Sequence, residues 1–149
     1  MTLGPVMVDL QGVALEPDER EMLAHPQVGS VILFTRNYEN PEQLRRLVAE
    51  IHAIRTPALL VAVDHEGGRV QRFQAGFTRL PPMREVGRRY GASHADGIAL
   101  ARQLGWLMAV ELRTVGVDLS FAPCVDIDYG VSRAIGDRAL HADAAAVCE

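Results

Sequence analysis

Lysine is absent from the 149 residues; all fifteen basic side chains are arginine. That removes Schiff-base and pyridoxal-phosphate chemistry, and the phosphate-loop lysine, from this stretch of chain. Cysteine is nearly as scarce. Cys124 and Cys148 stand alone, with neither metal-ligand spacing nor a disulfide framework. No hydrophobic run approaches the roughly 18 residues that a membrane helix needs. No basic segment followed by an apolar stretch opens the chain, so no signal peptide is expected and the cytoplasm is the expected compartment. Positive charge is not in excess either. A formal net charge of −4 and a pI near 5.7 argue against a nucleic-acid or anionic-membrane partner. Gly-x-Ser-x-Gly and Gly-x-Gly-x-x-Gly are both missing, which weakens a hydrolase elbow and a dinucleotide site.

What remains is a globular composition, 48% hydrophobic and 23% charged, in a length that suffices for one domain with a core. Short apolar runs predict strands at Gly4–Leu10, Gly29–Phe34, Leu59–Val63 and Asp118–Ala122. Helices are expected between them. Pro17 opens one that carries Asp18 and Glu19 in its first turn and that Pro26 stops. Asn40 caps and Pro41 starts a second to about Arg55, with Leu44, Leu47, Val48, Ile51 and Ile54 at helical spacing. After a long connection that holds a short helix at Met83–Tyr90, Ser93 starts a third. Its face is marked by Ile98, Ala101, Leu104, Met108, Leu112 and Val115, and Gly116 ends it. Trp106, on that helix, is expected in the core. A last helix begins near Ala142. The order β-α-β-α-β-(loop)-α-β, with polar residues at each strand's carboxyl end, is that of a parallel α/β protein. Four such units make half of a (β/α)8 barrel, whose whole takes about 250 residues.

The chemistry gathers at Leu59–Phe73. An apolar run, Leu59–Val63, ends in Asp64, His65 and Glu66, then Gly67-Gly68, then Arg69 and Arg72. Three ionisable groups in a row are costly inside a sheet, so the strand is expected to surface there. The two glycines allow a sharp turn and are expected to leave room for a ligand. Asp64 can accept several hydrogen bonds, as neighbouring sugar hydroxyls would offer, or can simply cap the turn that follows it. Arg69 and Arg72 share a face if helical and point apart if extended, so one is expected at the site and the other on an acid such as Glu66. Asp126 and Asp128 form either a paired acid site or a solvated strand exit. Asp137-Arg138 is either a surface ion pair or a substrate clamp. His25, His52, His94 and His141 have no visible triad partner. Adjacent Asp-His-Glu residues rarely point at one ion, so no metal is expected.

Asp64-His65-Glu66-Gly67-Gly68-Arg69-Val70-Gln71-Arg72 closely resembles the Asp-Gln-Glu-Gly-Gly-Arg-Val-Gln-Arg signature of glycoside hydrolase family 3. It departs only at His65, where the family usually has Gln. Gly4-Pro5-Val6-Met7, Ile32–Tyr38, Gly76–Pro81, Gly105–Ala109, Ser120–Pro123 and Ile135-Gly136-Asp137-Arg138 are similar to the family's bacterial β-N-acetylglucosaminidases of peptidoglycan recycling, in the same order. The resemblance implies a TIM-like barrel of which residues 1–149 are the N-terminal portion. It implies a carbohydrate substrate, terminal β-linked GlcNAc on an anhydro-muropeptide, and substrate-binding roles for Asp64, Arg72 and Arg138. No cofactor is implied. The family's nucleophilic Asp, its His–Asp acid/base pair and its Lys-His binding pair match nothing in this sequence and would lie after residue 149. The resemblance therefore implies retaining hydrolysis for the parent protein and inactivity for this segment alone. Competing readings are a glucosidase or xylosidase of the same fold, a non-catalytic sugar-binding fragment, and a metal-dependent hydrolase at Asp64–Glu66. The oligomeric state is left open.

Overall fold

The computed structural model describes residues 3–149. Four parallel strands lie side by side in chain order: β1 (Val6–Asp9), β2 (Val28–Leu33), β3 (Leu60–Val63) and β6 (Leu119–Ser120). Helices α1 (Pro17–Ala24) and α2 (Pro41–Ala53) connect the first three. Asn40 accepts the Gln43 amide and Pro41 sits in the first turn, so α2 starts where the sequence places it. An antiparallel hairpin, β4 (His65–Gly67) and β5 (Val70–Gln71), follows β3, and then α3 (Met83–Ala92) and α4 (His94–Thr114) lead to β6. A five-residue α5 (Ala144–Cys148) ends the chain. This is the expected α/β pattern of the N-terminal half of a TIM-like barrel.

The two faces of the sheet differ. Val31 pairs with Val61 and Leu33 with Val63, and all four are fully buried against the helices. Leu44, Leu47, Val48 and Ile51 of α2 supply the other side of that core. Register puts Met7, Leu60 and Leu119 on the opposite face, where they are 37%, 47% and 46% exposed. Strand side chains alternate, so these residues face away from the helices, although Ala62 on the same face is buried. Both edges, β1 and β6, are open.

One expectation fails here. Trp106 is 67% exposed rather than in the core. Leu104 lies on the inward face, and two residues along a helix is about 200° round it, so Trp106 points away. The inward face itself is covered only at its end. Of the 21 residues of α4, Gly97 and Leu112 alone are buried. An apolar cleft of about 340 Å³ lies between α4 and β6, lined by Leu104, Met108, Leu112, Leu119 and Pro123 among others.

Candidate functional site

Polar groups collect beyond the carboxyl ends of the strands. Asn37, fully buried after β2, donates to the carbonyls of Leu10 and Gly12 and so holds the turn after β1. Gln43 ties the same region by donating to Val13 O and Asn37 O at 2.7 and 3.1 Å. Arg36 reaches back to Asp9 and to Leu10 O, and its guanidinium lies 4.7 Å from the centre of the Phe34 ring. Next to it stands Asp64, which accepts from Arg72 Nη2 at 3.0 Å. The guanidinium of Arg72 is also 5.7 Å from Phe34, and Thr35 Oγ1 donates to its backbone carbonyl. The Asp64 and Arg72 side chains are 27% and 30% exposed, within reach of a solute.

The strand does not surface after Asp64, contrary to expectation. His65 is fully buried and Glu66 is 4% exposed. Glu66 is compensated for its burial, whereas His65 sheds only the charge. Glu66 receives two guanidinium bonds from Arg138, at 2.9 and 2.7 Å, a bidentate pair. Those bonds push Arg138 further up its already high range. Among the described residues, neither His65 ring nitrogen has a hydrogen bond. Its ring packs at 5.7 and 5.6 Å from Phe73 and Phe77. Burial depresses it to about 4, against a weaker upward pull from Glu111, so it is neutral at ordinary pH. The Tyr38 ring closes this aromatic cluster at 5.0 Å from Phe73.

The glycines do turn the hairpin, with φ of +104° at Gly67 and +55° at Gly68. The space beside them is not free for a ligand. A Cβ at Gly67 would lie 2.5 Å from Pro81 O, and one at Gly68 2.8 Å from Pro82 Cβ, so they admit the returning chain. Gln71, buried, fastens that chain through Phe73 O, Thr78 O and Leu80 N. Arg69 and Arg72 flank β5, and the extended backbone sends them apart. The acid that takes Arg69 is Asp137, at 3.2 Å, not Glu66. Asp64 and Arg72 thus meet where the hairpin begins and ends, and Arg138, from the loop at 136–138, docks on Glu66 within it. Glu66 was missed as a partner of Arg138, and no spacing signals a contact 72 residues apart.

The other candidates have structural partners. Asp128 takes Arg84 and the Gly130 N–H, which hold its carboxyl below the usual range, the backbone bond most strongly. Asp126 accepts from the Cys124 thiol, which burial pushes up. They are not a paired acid site. His52 does have an acid partner, Asp118, at 3.0 Å. Asp118 also accepts Val61 N–H at the amino end of β3, so that pair braces the sheet at the edge remote from Asp64.

A cluster of carboxylates and guanidinium groups beyond the carboxyl ends of parallel strands is the ligand-site architecture of the β/α barrels. Comparison with known proteins narrows the class. Residues 5–149 match the glycosyl hydrolase family 3 N-terminal domain. The chain is 64% identical over 141 residues to a β-hexosaminidase of Thioalkalivibrio sulfidiphilus, covering 95% of this chain and 41% of that protein. It is 57% identical over all 149 residues to one of Nitrosospira multiformis, covering 43% of it. Among solved structures it superimposes with a TM-score of 0.97, at 47% identity, on NagZ from Neisseria gonorrhoeae in complex with N-trifluoroacetyl-D-glucosamine. That match spans 99% of this chain and 44% of NagZ. The chain belongs to glycoside hydrolase family 3, and it spans less than half the length of these relatives.

Proposed function

We propose that this chain is the sugar-gripping N-terminal portion of a single barrel domain in a retaining β-N-acetylglucosaminidase. The observation that carries the reading is the pair of guanidinium–carboxylate contacts that the hairpin after β3 makes, Asp64–Arg72 at its ends and Glu66 with Arg138 from the C-terminal loop. Asp64 offers free lone pairs to sugar hydroxyl protons, while Arg72 and Arg138 donate to sugar oxygens. Each group is already oriented by its partner, so binding costs little reorganisation and remote sugar contacts can position the glycosidic bond. Relatives named β-hexosaminidase, and a NagZ structure holding a glucosamine derivative, support an N-acetylglucosaminide as the substrate. The natural form of that substrate is GlcNAc-anhydro-muropeptide from peptidoglycan turnover in the cytoplasm.

Hydrolysis with retention needs a nucleophile and an acid/base beside the anomeric carbon. Glu66 is occupied by Arg138 and Asp64 by Arg72, which suits both for binding rather than proton transfer. The reacting groups belong to the part of the parent protein that the relatives have and this chain does not span. The test is hydrolysis of an aryl β-N-acetylglucosaminide by this chain and by the chain extended with its downstream sequence, each with and without Asp64→Ala. Turnover only by the extended protein, with KM raised by Asp64→Ala, supports the reading. Turnover by the 149 residues that Asp64→Ala abolishes overturns the division of labour.

A further inference from the structure

The proposed sugar contacts leave Arg69 without a task, yet it makes more contacts than either binding arginine. Its Nη2 lies 2.6 Å from Ala134 O and 3.3 Å from both Arg133 O and Ile135 O. Its Nε donates to Asp137 Oδ1. The acceptors belong to one tight turn, closed by Gly136 N–H on Ser132 O and by Ile135 N–H on Ser132 Oγ. That turn leads directly into Arg138. Arg138 Nη1 in turn donates to Ala134 O, the same carbonyl that Arg69 grips. A closed circuit results: Arg69 to Ala134, Ala134 to Arg138, Arg138 to Glu66, and Glu66 through two glycines back to Arg69.

We propose that Arg69 is a positioning residue that docks the 133–137 turn on the β4–β5 hairpin and so sets the guanidinium of Arg138 for the sugar. The inference rests on the substrate-binding role of Arg138 given above. Without Arg69, Arg138 is held to the hairpin by Glu66, and the turn keeps its other anchor, Arg84 Nη2 on Gly136 O at 2.9 Å, on the α3 side only. The ion pair with Asp137 is not the main contribution. Both its side chains are about half exposed, at 48% and 50%, and such pairs contribute little. The carbonyl contacts all come from Nη2 while Nε takes Asp137, so the planar guanidinium reaches the turn through two nitrogens at once, whereas an ammonium has one. Arg69→Lys keeps the charge beside Asp137 but loses that fork, so it is expected to behave as Arg69→Gln does.

Two measurements test this. In the 149-residue chain, trypsin cleavage at Arg133–Ala134, followed by mass spectrometry, reports release of the turn. Arg69→Gln and Arg69→Lys are each expected to speed it about tenfold, the factor for losing one charged hydrogen bond. Unchanged cleavage in Arg69→Gln, or full rescue by lysine, overturns the docking role. In the extended enzyme, Arg69→Gln is expected to raise KM for an aryl β-N-acetylglucosaminide with little change in kcat, as loss of uniform binding does. Added to Arg138→Ala, it is expected to raise KM no further, because it acts through that side chain. An equal rise in both backgrounds overturns the positioning role. Arg138→Ala without effect on KM rejects the sugar-binding reading itself and this inference with it. The Arg138 variant alone reports that failure, separately from the Arg69 variants.

Discussion

Helices α2 and α4 are both amphipathic, both capped by a side chain at the start, and both connect to a strand of the same sheet, yet they end up in opposite situations. In α2 the apolar stripe Leu44, Leu47, Val48 and Ile51 is at most 2% exposed. In α4, longer by eight residues, the stripe is covered only near Leu112. Part of the difference lies in the helices, since α4 also carries Leu100, Trp106, Leu107 and Val110 off its stripe, and part lies in what they meet. The stripe of α2 meets the fully buried face of β2 and β3, whereas α4 flanks β6, a two-residue strand at an open edge. Amphipathicity states which face seeks cover, and the neighbouring strands decide whether it is found.

The contrast can be broken most forcefully by truncating the same kind of side chain in both helices. Ile51→Ala is expected to cost about 3 kcal/mol in urea unfolding, while Leu104→Ala costs less than about 1 kcal/mol. Comparable losses would show α4 covered in solution. Next in size is the contact joining the well-packed part to the C-terminal loop. Glu66→Gln is expected to cost about 2 kcal/mol, because a charge-assisted pair is lost and the guanidinium is left facing a neutral amide. A change below about 0.5 kcal/mol would mean that water replaces the carboxylate there.

A third measurement uses pH. The folded state holds His65 neutral down to about pH 4, against 6.5 for an ordinary histidine. Between these values the unfolded chain binds a proton that the folded chain refuses, so stability falls as pH falls. From pH 7 to pH 5 this loss is expected to be about 2 kcal/mol, and His65→Gln is expected to abolish that portion of the slope. A slope identical in both proteins would show that His65 is solvated. The smallest effect belongs to the exposed side of α4. Trp106→Ala is expected to change stability by less than about 0.5 kcal/mol, and iodide should quench Trp106 as freely as a small indole. Poor quenching would place a second molecule on that helix.

Much of this was legible in the sequence, for local reasons. Pro41 after Asn40 starts α2, Gly116 at φ +88° ends α4, and the Val-rich run ending at Val63 is buried on the helix side. Asp64 and Arg72, eight residues apart, meet because one hairpin joins them, a choice between Arg69 and Arg72 that the residues alone had left open. Trp106 was misread because its apolarity says nothing about which helical face has a neighbour. The Asp64–Glu66 stretch was misread because three ionisable residues look incompatible with burial. They become compatible only when Arg138, from 72 residues away, neutralises Glu66, and when Phe73 and Phe77 enclose a neutral His65.

By itself, then, the sequence determined the alternation of strands and helices, their starts and stops, and the collection of acids and arginines after β3. Those properties depend on backbone preference and side-chain periodicity within a few residues. Only the tertiary structure decided which carboxylate each arginine takes, which glycine gaps are filled by the chain itself, and which apolar faces stay open. These are outcomes of long-range packing, where a charge can be buried only if a distant partner arrives, and a face is covered only if another element lies against it.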